Sequence, residues 1–331
     1  MRRRASLVLL ALAFFLATLS PLLRWYAFPR VVAVPQNQYQ ETVLEAENAE
    51  LLDYSSLKPR IEPKVTIIQT LKGNVEAAKK VKEETGRDVV VWDALSYAHD
   101  SKGQTVTSIP ERYIFDGHTQ EPVHASGESV DGDAVRRTGL TYKWPFLTKK
   151  RDYEYYDPMT RASAPILFKG VRDHRGMEVY YFEQTIPWQK VVLPKTLPLG
   201  MKPADVEKLG LERWYTTKRM FWVEPVTGAP VRGEEIHKEE MRWPKASGMP
   251  PLPAFSAHVK IRDDYIDHIT DLVKANRQRV LMFHTYIPIG LLALAAALLA
   301  ASLWLESRSR RAPDEAPSPQ PTPSPPEPVT A

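Results

Sequence analysis

The 331-residue chain has no cysteine. That excludes a disulfide framework and any thiolate metal site, so the folded part must stand on packing alone. Nor does charge of one sign dominate: 44 Lys and Arg stand against 40 Asp and Glu, interleaved, for a net of +4. Nucleic acid is therefore not an expected partner. No Gly-x-Ser-x-Gly elbow occurs, and the eight histidines are scattered. His118 and His124 lie near one another around Glu121, but not in a metal-binding spacing. His118 reads as an exposed turn residue. No catalytic constellation, metal centre or cofactor is expected, and an enzyme ranks third among the functional readings.

What the chain does have is two long uncharged runs, Ala5–Leu23 and Tyr286–Leu305. At ~1.5 Å per residue each reaches the ~30 Å hydrocarbon thickness of a bilayer. Arg2, Arg3 and Arg4 precede the first run; Arg308, Arg310 and Arg311 follow the second. Arginine-rich flanks stay on the cytoplasmic side. The expectation is a two-pass plasma-membrane protein with both termini cytoplasmic and its main domain extracellular. A cleaved signal peptide is the rival reading, but the Ala-x-Ala set Ala11–Ala13 lies within the apolar run. Pro21 predicts a kink near the outer end of the first helix. In the second, His284 is read as solvated near the outer interface. Ala293, Ala297, Ala300 and Ala301 offer a small-residue face for the first helix or another protein, with plain lipid-facing filler as the equal alternative.

The predicted fold is a membrane-anchored, β-rich (α+β) extracellular domain between two terminal transmembrane helices. The expected boundaries are a cytoplasmic N terminus (1–4), a first transmembrane helix (5–26), a β-rich domain (31–262), a helical stalk (263–282), a second transmembrane helix (283–305) and a disordered proline-rich cytoplasmic tail (306–331). Strands are predicted over Val65–Leu71, Val89–Trp92, Arg112–Phe115, Val179–Ile186, Arg219–Val223 and Phe255–Ile261, each aromatic or β-branched and bounded by turn formers. In the last, Phe255, Ala257, Val259 and Ile261 alternate with Ser256, His258 and Lys260. A weak repeat links Tyr113–Val123, Phe221–Val231 and, more loosely, Tyr155–Ala162. In each, aromatics precede an acidic residue, a Pro or Gly and a Thr, the pattern of a hairpin whose turn the acid starts. Helices are predicted over Val75–Thr85, capped by Asn74 and ended by Gly86, over Pro203–Leu209, and from Asp264 onward. The stripe of this last helix is Ile266, Ile269, Leu272, Val273 and Val280. The prolines beyond Ala312 suit a passive tail or a ligand for a cytoplasmic adaptor.

Two acidic sets are candidates for chemistry. Glu128–Asp133 could meet a hard cation but reads as a solvated turn, and Glu234, Glu235, Glu239 and Glu240 around His237 read as a charged surface edge. The most unusual stretch, Gly139–Asp157, sets Tyr142, Trp144 and Phe146 beside Lys149, Lys150 and Arg151. Those six are the candidate ligand-binding set, rings entering a lipid headgroup region while cations meet phosphates; the core and rim of an ordinary β layer is the other reading.

The opening arginines with Ser20–Arg24, then Val90-Val-Trp-Asp93, Val130–Asp133, Gly139–Phe146, Trp222–Gly228 and Gly233–Glu235 resemble an actinobacterial family of two-span membrane-anchored envelope proteins. It is a family of uncharacterised function, sometimes labelled porin-like. The resemblance implies no catalytic residue. Two helical spans do not make a β-barrel pore, so the label is not followed. In architecture the chain is also similar to scavenger-receptor class lipid-handling proteins, which implies a lipid tunnel. The expected function is a non-enzymatic envelope protein binding or guiding a lipid or apolar ligand. A structural or partner-docking protein is the alternative, with membrane lipids, an envelope protein and a cytoplasmic adaptor as expected partners.

Overall fold

The structure, a computed structural model, describes residues 2–198, 201–244 and 248–310. The proline-rich tail lies outside the described residues. The chain divides into two compact units, one formed by its two ends up to Ala27 and from Phe283, the other by Phe28–Met282.

In the first unit, helix α1 (Arg2–Pro21) passes into a π-helical stretch, Leu22–Ala27, at the proline. A second π-helical stretch, Met282–Tyr286, precedes the last helix, Ile287–Arg310. Both helices are long and apolar enough to cross a membrane, with mean hydropathies of 2.3 and 2.2 in their best windows. They pack through small residues at seven-residue spacing, as a coiled-coil seam does. Ser6, Ala13 and Ser20 are buried on one side; Pro288, Ala295 and Ser302 are buried on the other. Ser6 Oγ donates to the Ser302 carbonyl at 3.1 Å, Ser302 Oγ returns a bond to the Ser6 carbonyl at 2.8 Å, and Ser20 Oγ donates to the Pro288 carbonyl at 2.8 Å. The helices are thus antiparallel. Ala293, Ala297, Ala300 and Ala301 point away from the seam and are exposed, so that face does not meet the first helix.

The second unit opens on a single turn, α2 (Phe28–Val31), and its described residues form twelve antiparallel strands. These are β1 (Tyr39–Asp53), β2 (Lys58–Gly73), β3 (Val90–His99), β4 (Thr105–Phe115), β5 (Ser129–Val130), β6 (Asp133–Ala134), β7 (Tyr153–Asp157), β8 (Ala162–His174), β9 (Met177–Val191), β10 (Glu212–Glu224), β11 (Ala229–Arg242) and β12 (Leu252–Ile261). Their order is β6-β5-β4-β3-β2-β1-β12-β11-β10-β9-β8-β7, two meanders joined where β1 pairs β12. The sheet is curled, so its two edges come together. Asp133 of β6 pairs with Arg161 of the β7–β8 turn at 2.7 Å and with Lys195 at 2.6 Å, while Thr138 Oγ1 donates to Ser163 Oγ at 2.9 Å. Closing edges in this way leaves few unpaired backbone groups as a template for aggregation.

The alternation expected of β12 places Phe255 and Val259 in the core and His258 and Lys260 in solvent. Strand β9 is apolar on both faces: Tyr180 and Phe182 join an inner aromatic cluster, and the Tyr181 ring lies tilted against Trp222 at 4.8 Å. All three repeat segments are turns begun by a carboxylate. Asp116 Oδ1 accepts from the His118 and Thr119 amides, and Asp157 Oδ1 from Thr160. Glu224 accepts from Val226, Thr227 and the Thr227 hydroxyl. Each acid satisfies turn donors that no strand can reach.

Helix α3 (Val75–Thr85) begins where Asn74 Oδ1 accepts from Ala77 at 2.9 Å and ends at Gly86, whose φ of 71° suits a left-handed cap. It lays Ala78 and Val81 on Val91 and Ile114. Helix α4 (Pro203–Lys208) buries Val206 among Leu52, Leu197, Leu211 and Met241. Helix α5 (Asp263–Leu281) packs Ile269 and Val273 on Met177, Val179 and Val231. The terminal helix from Ile287 is α6.

Candidate functional site

Charged groups gather inside the curled sheet. The β10–β11 hairpin sets the register: Arg219 faces Glu235, Thr217 faces His237 and Tyr215 faces Glu239. Strand alternation turns Arg213, Tyr215, Thr217 and Arg219 of β10 to the same side as Glu235, His237 and Glu239 of β11. Arg219 Nη1 meets Asp157 of β7 at 2.6 Å, its Nε meets Glu235 at 3.1 Å, and its Nη2 donates to the Tyr215 hydroxyl at 2.9 Å. Arg213 binds Glu239 at 2.7 Å.

His237 lies between two carboxylates, Nδ1 at 2.8 Å from Glu235 and Nε2 at 2.6 Å from Glu239. Ionised carboxylates only accept, so both ring nitrogens must carry hydrogen and the ring is an imidazolium. Burial opposes that charge, but the bonds to Glu235 and Glu239 outweigh it and raise the His237 pKa to about 9. Burial likewise opposes ionisation of Glu239, yet Arg213 and His237 bring it down to about 2. Glu235 is pulled lower still against its burial, by Arg219 and His237.

A second cluster centres on Arg137, whose side chain is fully buried. It meets Glu111 at 2.7 Å and Glu128 at 3.4 Å and donates to the Arg112 carbonyl at 2.6 Å. The rings of Tyr113 and Tyr156 lie 5.4 and 4.9 Å from its guanidinium carbon. Burial dominates at Glu111 and pushes its pKa up despite Arg137. Two tyrosines and a glutamine join the clusters. Tyr142 donates its hydroxyl to Glu111 at 3.0 Å, and its amide donates to the Tyr155 hydroxyl at 3.1 Å. Gln184 donates to the Tyr155 carbonyl at 2.9 Å and accepts from Arg219 at 3.5 Å. Four cations and five carboxylates therefore form one polar system, buried except for the half-buried Glu235: Arg137, Arg213, Arg219 and His237 with Glu111, Glu128, Asp157, Glu235 and Glu239.

The six residues singled out in the sequence do not form one surface. Trp144 is fully buried against Tyr155, Phe182 and Phe221, with ring centroids 5.1–5.4 Å apart. Tyr142 sits near Trp92 and Tyr113, and Phe146 packs on that same group. Lys149 and Lys150 are exposed, Lys150 over Tyr180, and Arg151 over Tyr153. The aromatics are core because the segment carrying them threads the sheet interior. The acidic turn is occupied by protein as well: Glu128 serves Arg137, Asp131 Oδ2 accepts from the Lys195 amide at 2.7 Å, and Asp133 holds Arg161 and Lys195. His118 is half-buried, with a ring nitrogen 3.0 Å from the Val32 carbonyl. Glu235 and Glu239 are not a surface edge; only Glu234 and Glu240 face outward, against Arg232 and Arg242. The usable signal was the hairpin register, which sets Arg219 opposite Glu235 across a strand pair.

A model of the Porin PorA family matches residues 5–304, from the first apolar run to the end of the second. The chain belongs to that family. It is similar to a Porin PorA of Corynebacterium amycolatum, 24% identical over 298 residues covering 71% of this chain and 77% of that protein. It is also similar to a Porin PorA of Corynebacterium resistens, 26% identical over 190 residues, which cover 39% and 46% of the two. Membership in Porin PorA corrects three expectations. The family is a defined one rather than an uncharacterised group; the porin label set aside in the sequence is the family's own; and the reading as a lipid- or apolar-ligand-guiding protein is overturned. The chain is a non-enzymatic protein, as membership in a porin family entails.

Proposed function

We propose that this chain is a porin-type transport protein passing ions or small polar solutes, with the curled sheet's interior as its polar path. The system of nine charged groups, eight of them buried, carries the reading. Taking such groups out of water costs several kcal/mol each, and an apolar core of equal volume is often at least as stable. A fold retaining them in one contact network keeps an interior matched to polar traffic.

The arginine flanks support an orientation with both ends cytoplasmic and the β-rich domain outside the plasma membrane. Outward positions on β10 to β12 carry Lys218, Lys238, Glu240, His258 and Lys260, unlike the apolar band of a lipid-facing barrel. Crossing the bilayer thus falls to the helices. Two helices enclose no aqueous path, so conduction calls for several copies together.

The test is electrical. Purified full-length chain in planar bilayers should give discrete conductance steps, and Glu235→Gln and Arg219→Gln should shift the reversal potential in opposite senses. Silent bilayers with protein shown to be inserted would sink the reading. Steps with unaltered selectivity in both variants would move the path out of the sheet.

A further inference from the structure

One segment inside the sheet belongs to none of its strands. Residues 138–148 run from the β6 edge across the interior, fastened at two places. At one, the Leu140 amide donates to Glu154 and its carbonyl accepts from Tyr156, both at 2.8 Å. At the other, the amides of Trp144, Leu147 and Thr148 donate to the carbonyls of Gly228, Val226 and Pro225 at 2.8, 3.0 and 2.7 Å, all in the β10–β11 turn. Between those places Tyr142 reaches toward β3 and β4, while Trp144 fills a socket of β7, β9 and β10 rings. The segment therefore packs between β3 and β4 on one side and β7, β9 and β10 on the other.

It is also held under tension. Tyr142 and Leu147 have φ of 63° and 55°, a region that bulky residues occupy only where their surroundings force it. Trp144 Nε1 is buried without a hydrogen-bond partner among the described residues, so the seat leaves a polar group unsatisfied. Lys143 is half-buried, its Nζ donating to the Trp144 carbonyl at 2.8 Å and lying 3.8 Å from the Phe146 ring.

The turn that grips this segment is organised by one carboxylate. Glu224 is fully buried, binds the turn's Val226 and Thr227 amides, and receives Arg277 of α5 at 3.3 Å. Gly228, with φ of 72°, must be glycine, because a Cβ there would run into the Trp144 carbonyl. One path of direct contacts thus links α5 to the segment: Arg277, Glu224, the turn carbonyls, then the amides of Trp144, Leu147 and Thr148.

We propose that residues 138–148 are a displaceable plug, and that the Arg277–Glu224 contact sets how firmly the β10–β11 turn holds it. The consequence for conduction rests on the transport reading above; the mobility of the plug does not. Arg277→Gln removes the helix's grip while leaving the turn's own bonds in place. Glu224→Gln weakens both.

Hydrogen exchange read by mass spectrometry on the full-length protein in detergent tests the mobility. Peptides covering 140–148 should exchange at least tenfold faster in Arg277→Gln, and faster again in Glu224→Gln, with β1–β3 unchanged. Unaltered exchange of those peptides in both variants overturns the proposal, and so does a uniform rise across all strands in Arg277→Gln. In planar bilayers the same variant should raise open probability severalfold. Fast plug exchange with wild-type gating overturns the plug as a gate. Bilayers silent for every variant count against the transport reading, and exchange then still decides whether α5 controls the segment.

Discussion

The helix pair and the sheet interior both bury polar groups far from water, and they solve the problem differently. Between α1 and α6 the polar atoms are neutral: three serine hydroxyls donate to backbone carbonyls, and small side chains let the backbones approach. Inside the sheet the groups are ions, and each cation is matched by one or more carboxylates within 3.4 Å. The hydroxyl seam can lose a member at small cost, since a neutral group is left behind. The ionic interior cannot, because the survivor is a bare buried charge. The difference teaches that polar burial in this chain is glue in one region and a commitment in the other.

The sharpest break should come from Arg219→Met, which strips Asp157 and Glu235 of their shared cation. Urea unfolding followed by tryptophan fluorescence should show a loss of about 3–5 kcal/mol; a loss under about 1 kcal/mol would mean that the ions are not coupled. Next is the pH response of His237. Its folded pKa, about 9, lies above the ordinary 6.5. Its stabilisation is therefore complete below pH 6.5 and lost as pH rises through 9. The scale is up to about 3 kcal/mol. Glu239, depressed to about 2 from 4.5, contributes above pH 4.5 and loses its contribution as pH falls through 2. Compared with wild type, His237→Gln should lack the stability loss between pH 6.5 and 9 that His237 contributes, and should keep a smaller acid fall, because Arg213 alone then holds Glu239 down.

A smaller effect is expected at the seam. Ser6→Ala with Ser302→Ala should weaken helix association by about 1 kcal/mol in total, read by energy transfer between labelled helices in detergent. A loss as large as that of Arg219→Met would erase the contrast between the regions. Smallest of all is Lys218→Ala, which removes an outer pair with Glu183 at 3.2 Å. Its effect on unfolding should stay within about 0.5 kcal/mol, as a solvent-facing control.

Much of the scaffold was legible from local chemistry. Asn74 and Gly86 bracket α3, the acid-led repeats are turns, and Phe255 to Ile261 alternate as a strand should. Each depends on interactions within a few residues. The interior was not legible for the opposite reason. Strand β11 carries charge on both faces, Glu235, His237 and Glu239 against Glu234, Lys238 and Glu240, so a period of two has no apolar marker to follow. Trp144 beside Lys149, Lys150 and Arg151 looked like a lipid-facing cluster, because nothing local reveals that a chain segment will be enclosed by strands up to eighty residues away. The seam was a missed opportunity: Ser6, Ala13, Ser20 and Pro288, Ala295, Ser302 repeat every seven residues, but the alanine-rich stretch drew attention to another face.

The join between β1 and β12 has a kinetic consequence. Every other strand pairing among the described residues links neighbours along the chain, whereas Leu44 meets Ile261 only after the whole intervening polypeptide has been gathered. Closing so long a loop costs on the order of 5 kcal/mol of chain entropy before any contact repays it. The two meanders should therefore assemble independently and zip together last, so newly synthesised chains expose two raw strand flanks until the final hairpin arrives. Chaperone demand should peak at that late stage.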